Sequence, residues 1–150
     1  MRKLMLLFSS VFGLGYIRYA SGTFTSAAAA VLWYLFAPND YYAQIPIIVC
    51  VFFVSLFLSS IAEDIYQNVD DGRITIDELA GMWVTLAFLP KSIGFAIAGF
   101  FLFRFFDIKK PFFINKLQNL RGGLGITADD IAAGVFANII LQAVYYLWLK

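Results

Sequence analysis

Long apolar segments separated by short polar stretches set the pattern of this 150-residue chain. Their approximate bounds are 23–37, 42–61, 76–89, 92–106 and 131–149. Such runs predict helices, and a helix needs roughly 20 residues, or at least ~17, to cross a bilayer. The pattern therefore predicts an all-α polytopic membrane protein with about five apolar helices. Because the first, third and fourth segments are short, four spans with one re-entrant helix is the alternative.

The N-terminal stretch 1–15 has a basic start and a short apolar core, as a signal peptide does. No small-x-small cleavage site follows it directly, and the next residues have the polar character of a functional segment. We therefore expect this stretch to be retained and to lie at or in the inner face of the membrane.

Composition strengthens the membrane assignment. Hydrophobic residues make up 61% of the chain and charged residues 14%, whereas a soluble domain is about 25% charged. The length suits one domain, so residues 1–150 are predicted to form a single membrane-embedded unit. The net charge of +1 gives no sign of a nucleic-acid partner.

Two residue types exclude several chemistries. The chain has no histidine, which excludes a histidine base, a phosphohistidine intermediate and histidine-ligated zinc. Its single cysteine, Cys50, lies inside an apolar run, so an internal disulfide is impossible. No cationic loop follows Cys50 to stabilise a thiolate. Cys50 is therefore expected to face lipid or to pack against another helix.

Charge placement predicts the orientation of the helices. If the N-terminus is cytoplasmic, nine basic residues fall on the inner side; they are Arg2, Lys3, Arg18, Arg73, Arg104, Lys109, Lys110, Lys116 and Arg121. Only Lys91 and Lys150 fall outside, which is a strong positive-inside bias. This asymmetry favours five spans in the cell inner (cytoplasmic) membrane.

The acidic residues show the same asymmetry, although the positive-inside rule does not require it. All except Asp40 fall on the inner side; they are Glu63, Asp64, Asp70, Asp71, Asp77, Glu78, Asp107, Asp129 and Asp130. Ionisable groups at membrane depth are functional candidates. The sequence therefore predicts a site at the cytoplasmic face.

Polar residues in the stretch 15–27 come directly before the first apolar helix. Gly22 permits a tight turn, and Ser21 and Thr23 offer hydroxyl groups where a helix N-terminus can bind phosphate. The alternative is that Ser21 or Thr23 only caps the helix.

An acid pair, Asp77 and Glu78, opens the third helix. A first-turn acid gains typically ~0.3–1 kcal/mol from the helix dipole, which explains one acid well. Neighbouring positions diverge by about 100° around a helix, so at least one acid should point into the bundle. Gly81 would let another helix approach closely there.

The last helix repeats this design within the stretch 122–138. Its glycines are expected to form a flexible approach, with Thr127 as the helix cap and Asp129 and Asp130 at the helix start. Gly134 continues the Asp130 face as a small residue. No strand precedes the glycines, which excludes a dinucleotide-binding motif.

Charges also end the fourth helix, in the stretch 103–114. Arg104 and Asp107 lie one turn apart and can form an ion pair. Lys109 and Lys110 come just before a proline that ends the helix. Anchoring to anionic lipid is the alternative interpretation of these basic residues.

Together these stretches predict a metal site for phosphate chemistry. Carboxylates and water are ligands that Mg²⁺ prefers, and substrate phosphate often completes its shell. Lysine and arginine would hold the remaining phosphate oxygens. Bound metal makes water a better nucleophile near neutral pH. A phosphate-ester hydrolase acting on a membrane lipid would therefore need neither histidine nor cysteine.

Four motifs resemble, in the same order, those of the bacterial phosphatidylglycerophosphatase A family. "ASGTFTS" (20–26) is similar to A-P-G-T-x-G-S, and "DDGRITIDELAG" (70–81) is similar to D-P-S-x-I-V-I-D-E-x-x-G. "FRFFDIKKP" (103–111) is similar to F-R-x-F-D-I-x-K-P, and "GGLGITADDIAAG" (122–134) to G-G-x-G-I-x-x-D-D-x-x-A-G. The chain departs from the first two patterns, with Ser21 and Thr25 replacing a proline and a glycine and "DDG" replacing D-P-S.

The resemblance implies Mg²⁺-dependent removal of the terminal phosphate from phosphatidylglycerophosphate, which gives phosphatidylglycerol. The two acid pairs are expected to supply most metal ligands or the base; they are Asp77, Glu78, Asp129 and Asp130. Asp64 and Asp70 are second-rank ligands. Direct attack by water is expected, and an aspartyl-phosphate intermediate stays open.

The expected phosphate-binding groups come from two other motifs. Arg104 and Lys110 would hold phosphate together with Thr23 and the turn at Gly22, while Asp107 would orient Arg104 or Lys110. Two rival functions stay open: a phosphatase for another lipid phosphate, such as phosphatidic acid, and a small membrane transporter. The sequence does not indicate an oligomeric state.

Overall fold

The computed structural model describes residues 2–68, 71–111, 114–117 and 122–149, and this part of the chain contains helices and no strand. The helices are α1 (Arg2–Ser9), α2 (Ser21–Phe36), α3 (Tyr41–Tyr66), α4 (Ile76–Leu86), α5 (Ile93–Lys109), α6 (Ile114–Leu117) and α7 (Gly123–Val144). A 3₁₀ turn (Leu14–Tyr16) follows α1, and a π turn (Tyr145–Leu149) extends α7. The all-α prediction is confirmed.

The last helix begins earlier than the sequence pattern predicted. It starts at Gly123 instead of just after the predicted cap Thr127, because Gly122, with φ of 70°, turns the chain into the helix. Thr127 is therefore not a cap; it lies inside α7, buried, with its Oγ1 3.2 Å from Ser55 Oγ. The glycine at 123 is used for packing, since a Cβ there would lie 2.5 Å from the backbone nitrogen of Ser60 in α3.

Helix length bears on how many helices could cross a membrane. Within the described residues, two helical segments are long and apolar enough to span it by length and composition: Tyr41–Tyr66 and Gly123–Leu147. Helix α4 has 11 residues, so it is about 16 Å long and reaches about half of a ~30 Å hydrocarbon core. The prediction of five spans is not confirmed by these lengths.

Helix α4 lies at the centre of the bundle. It packs against α2, α3, α5 and α7. Its residue Met82 is fully buried, and Ala80 and Thr85 are almost or fully inaccessible. Trp83 Nε1 donates to the Ala29 carbonyl of α2 at 3.1 Å. Helix α4 is too short to cross a hydrocarbon core by itself, and the neighbouring helices surround it.

The C-terminal end of α4 needs partners for its carbonyl groups, because the last turn of a helix leaves them unpaired. Asn138 of α7 donates to the carbonyls of Thr85 and Ala87 at 2.9 and 2.8 Å. Gln142, one turn later, donates to the carbonyls of Ala87 and Phe88, each at 3.2 Å. Two amide side chains thus allow the short helix to end inside the bundle.

Two glycines bring α4 and α7 together. A Cβ on Gly134 would collide with the carbonyl of Gly81. A Cβ on Gly81 would lie 2.6 Å from the Phe103 ring and 2.7 Å from the Asp130 carbonyl. The predicted close approach at Gly81 is confirmed, and it fixes the height of α7 relative to α4.

The connection between α4 and α5 lies at the end of the bundle where α2 meets α3. Lys91 Nζ donates to the Ala37 carbonyl at 2.7 Å, and Phe88 N donates to Gln44 Oε1 at 2.8 Å. The N-terminal turn of α4 and the C-terminal end of α5 lie at the opposite end. That opposite end holds the acidic residues described next.

Candidate active site

Three carboxylates meet at the start of α4 and the second turn of α7. Asp77, Glu78 and Asp130 each offer an oxygen, and these oxygens lie within 4.8 Å of one another. Asp77 is 5% exposed and Asp130 3% exposed, while Glu78 is half-buried. We call these three residues the acid cluster.

The position of the acid cluster follows from the packing of two parallel helices. Asp77 lies four residues before Gly81, and Asp130 lies four residues before Gly134. The two glycines hold the helix backbones in contact. Residues four apart share a helix face, so contact at the glycines sets the two acids side by side one turn below.

The acid cluster contains buried oxygens that no hydrogen bond satisfies among the described residues. These atoms are Asp77 Oδ1, Glu78 Oε2 and Asp130 Oδ2. Burying a polar or charged oxygen without a partner is costly, so a structure keeps such atoms when something else binds them. Three converging, anionic oxygen ligands fit a hard divalent cation such as Mg²⁺, which takes carboxylate and water oxygens.

A cationic side chain lies beside the acid cluster. Arg104 Nη1 donates to Asp107 Oδ2 at 2.5 Å, so the predicted pairing of these residues is confirmed. Asp107 is in turn a close charge neighbour of Glu78 and Asp130. Arg104 is held at the edge of the cluster, and its Nε has no hydrogen-bond partner among the described residues.

The first turn of α2 closes the same site. A Cβ on Gly22 would collide with Glu78 Oε1 and would lie 2.9 Å from Arg104 Nη1. The glycine lets the α2 backbone come this close while both side chains keep these positions. The structure therefore brings the predicted residues Gly22 and Arg104 together with Glu78.

The second acid of the α7 pair has a different neighbour. Asp129 is buried, and its Oδ2 forms an ion pair with Lys110 Nζ. Its Oδ1 accepts from the backbone N–H of Asp130 at 3.1 Å. Asp129 thus lies next to the acid cluster without belonging to the group of converging oxygens, and it holds Lys110 close to that group.

Asp64 is not among the acids whose oxygens converge in the acid cluster. Asp64 is exposed near the end of α3, and Thr23 lies half-buried in the first turn of α2 with no side-chain hydrogen bond described. Asp70 lies outside the described residues.

The structure also shows a polar arrangement that sequence reasoning missed. Arg73 donates to both oxygens of Asp71, from Nε at 2.7 Å and from Nη2 at 2.8 Å. The Arg73 guanidinium lowers the pKa of Asp71 to about 2, and it lies 3.7 Å from the centroid of the Tyr66 ring. The "DDGR" turn was the available signal, because an acid two residues before an arginine can pair within one turn.

Comparison with known proteins assigns the family. The family model for phosphatidylglycerophosphatase A matches residues 7–145. The chain belongs to this family. The matched residues include every residue of the acid cluster, and membership favours a phosphatase over the transporter alternative. No solved structure matches the chain.

Curated relatives of the chain are named for two different phospholipid substrates. Phosphatidylglycerophosphatase A of Escherichia coli is 37% identical over 143 residues, which cover 91% of this chain and 81% of that protein. The protein of the same name from Haemophilus influenzae is 43% identical over 53% of this chain and 50% of its own length. A Bacteroides thetaiotaomicron protein with the provisional name phosphatidylinositol-3-phosphatase is 31% identical over 92% of this chain and 91% of its own.

Proposed function

We propose that this member of the phosphatidylglycerophosphatase A family hydrolyses the terminal phosphate monoester of phosphatidylglycerophosphate and releases phosphatidylglycerol and inorganic phosphate. The observation that carries the proposal is the acid cluster, with three buried and unpartnered carboxylate oxygens beside an arginine. The cluster lies at one end of the bundle, and we place that end at the cytoplasmic surface. A lipid head group reaches it there while its acyl chains stay in the bilayer.

Asp77, Glu78 and Asp130 would hold the metal ion, since their oxygens converge. Bound Mg²⁺ would neutralise charge on the transferring phosphoryl group and lower the pKa of a water molecule. The cluster also offers carboxylate oxygens that can accept the proton of the attacking water. No histidine is available for that task in this chain.

Arg104 and the first turn of α2 at Gly22 are placed to bind phosphate oxygens. Asp107 orients the Arg104 guanidinium through their ion pair. Lys110 adds a second positive charge, and Asp129 positions it. Cations fixed before substrate arrives stabilise the charge that develops on the phosphoryl oxygens, because no reorganisation is needed during the reaction.

Phosphate release from phosphatidylglycerophosphate in non-ionic detergent tests this proposal. The purified protein is expected to lose turnover when a chelator removes divalent metal and to regain it when Mg²⁺ is restored. Full activity in the presence of chelator would contradict the metal-dependent mechanism. No release of phosphate with Mg²⁺ present would contradict the proposed reaction.

Another lipid phosphate monoester is the second candidate substrate, because the 31% identical relative is named for phosphatidylinositol 3-phosphate. The acid cluster by itself recognises a phosphate monoester and does not select the rest of the lipid. Side-by-side measurement of kcat/KM for phosphatidylglycerophosphate, phosphatidylinositol 3-phosphate and phosphatidic acid separates these substrates. A preference for either of the last two would replace the substrate proposed above.

A further inference from the structure

A polar groove of about 340 Å³ opens beside the acid cluster and takes no part in the mechanism above. It lies between the segment before α2 and the turn before α4. Its side-chain walls are Tyr16, Ile17, Arg18, Ser21, Asp71 and Arg73. We call this feature the basic groove.

Direct contacts between its two walls build the basic groove. Ser21 Oγ donates to the Gly72 carbonyl at 2.9 Å. A Cβ on Gly15 would collide with the Arg73 carbonyl, so the backbones touch at that point. The hydroxyl of Tyr16 lies 2.9 Å from that of Tyr66. Contacts between two packed segments of the chain therefore hold the basic groove in shape.

The basic groove and the acid cluster share structural elements. Ser21, in the groove wall, is followed by Gly22, which contacts Glu78 and Arg104. On the other wall, Arg73 comes four residues before Asp77. The two sites are therefore neighbours, both at the start of α2 and at the turn before α4.

The charge of the basic groove is positive. The Asp71 carboxylate accepts from the backbone N–H and the guanidinium of Arg73 and from Asn68, so its charge is already compensated. Arg18, in contrast, has no carboxylate partner among the described residues; its guanidinium lies 5.9 Å from the centroid of the Tyr19 ring. Arginine in such a place binds a phosphate group by paired hydrogen bonds.

The rim of the basic groove has the composition of a membrane interface. Tyr16 is 52% exposed and Tyr19 77% exposed, with Arg18 between them. Tyrosine is enriched where lipid head groups meet the hydrocarbon, because its ring is apolar and its hydroxyl is polar. A groove with this composition suits the depth at which the phosphodiester of a phospholipid lies.

We infer that the basic groove binds the phosphodiester of the lipid substrate through Arg18, while the acid cluster holds the terminal monoester. This inference rests on the proposed function, because phosphatidylglycerophosphate carries both groups, joined by one glycerol. Phosphatidic acid has only the monoester and cannot use both sites. Arg18 is thus a residue that selects substrate without taking part in bond cleavage.

Equilibrium binding of dihexanoyl-phosphatidylglycerol to the detergent-solubilised protein tests the inference. This probe has the phosphodiester and lacks the monoester, and its binding does not depend on turnover. Arg18→Gln is expected to raise its Kd about tenfold, the loss of one charge-assisted contact. Arg18→Lys, which keeps the charge, is expected to recover part of the affinity.

The matched control is Lys3→Gln, which removes one exposed positive charge from α1 outside the groove. It is expected to leave the Kd unchanged, and inhibition of turnover by inorganic phosphate is expected to be the same in Arg18→Gln as in the wild type. An unchanged Kd in Arg18→Gln, or an equal rise in Lys3→Gln, would overturn the inference. Absence of hydrolysis with this pattern of binding would count against the proposed reaction only.

Discussion

The two acid pairs of the chain look alike in sequence and differ in the folded protein. Asp77 and Glu78 of α4 both contribute to the acid cluster. In the α7 pair, Asp130 contributes, whereas Asp129 binds Lys110. The same sequence pattern, two acids ahead of an apolar helix, therefore places both acids in the cluster in one case and only one acid in the other.

The difference comes from what surrounds each helix. Helix α4 is enclosed by four other helices, so both of its acids face protein. Lys110, just past the end of α5, faces α7 at the level of Asp129 and forms an ion pair with that acid. Whether an acid joins the converging oxygens therefore depends on the cations that neighbouring helices bring to it.

The largest effect is expected from the acids of the cluster. Asp77→Asn and Asp130→Asn keep the side-chain shape and remove a ligand charge, so each should lower phosphate release by at least about a thousandfold, or about 4 kcal/mol. Folding is expected to persist, because removing one of several repelling buried carboxylates relieves repulsion. Turnover by each variant with saturating Mg²⁺, beside its Tm, provides the measurement. A rate within tenfold of wild type would remove that residue from the metal-binding set.

A smaller effect is expected from the acid that holds a lysine. Asp129→Asn should lower kcat/KM by about 10–100-fold, as loss of a positioning partner does. Lys110→Gln should have a similar effect, and the double variant should be little worse than either single one, because the two act as a unit. Additive losses in this double-mutant cycle would show that Asp129 acts independently of Lys110.

Packing between the two helices can be altered without touching an acid. Gly134→Ala places a methyl group against the Gly81 carbonyl, which should destabilise the protein by about 1–3 kcal/mol and spread the acid cluster. The matched control is Gly94→Ala in the first turn of α5, where a Cβ meets nothing closer than Ser92 Oγ at 3.8 Å. Tm and the Mg²⁺ concentration for half-maximal activity should change in Gly134→Ala alone. Equal behaviour of the two variants would contradict the role of this contact.

An acid outside both pairs should show the smallest effect. The pKa of Asp71 is lowered to about 2 by Arg73, so its pairing stabilises the fold above the unfolded pKa of about 3.9 and is lost as the pH falls toward 2. Asp71→Asn should therefore lower Tm modestly at pH 7, and the difference from wild type should shrink between about pH 4 and pH 2. A Tm difference that stays constant with pH would exclude this ion pair as its source.

Much of the fold was predictable because apolar runs and turn residues are local signals. Helices α2 to α5 lie close to their predicted bounds. The start of α7 was misplaced, since glycines usually weaken helices; here they are tolerated where Gly123 packs against α3. The short α4 could not be interpreted locally, because Asn138 and Gln142 end it from a distant helix.

The candidate site also has a part that was predictable from the sequence and a part that was not. Its acids and cations were predictable because such residues are rare in apolar helices and recur in family motifs. Asp64, an acid near the end of α3, is not among the acids whose oxygens converge. Arg18 and Arg73 gave no sequence signal of a shared groove, because their proximity depends on the contact of two loops.

The sequence by itself determined the helical class, the gathering of acids at one end of the bundle and the family. The tertiary structure decided which acids converge, because Gly81 and Gly134 set the height of one helix against another. It also decided that Asp129 turns to Lys110, since ion pairing depends on distances that no spacing along the chain specifies. The chemistry of a side chain can be read from the residue itself. Three carboxylate oxygens come within 4.8 Å of one another only when the helix backbones pack in one arrangement.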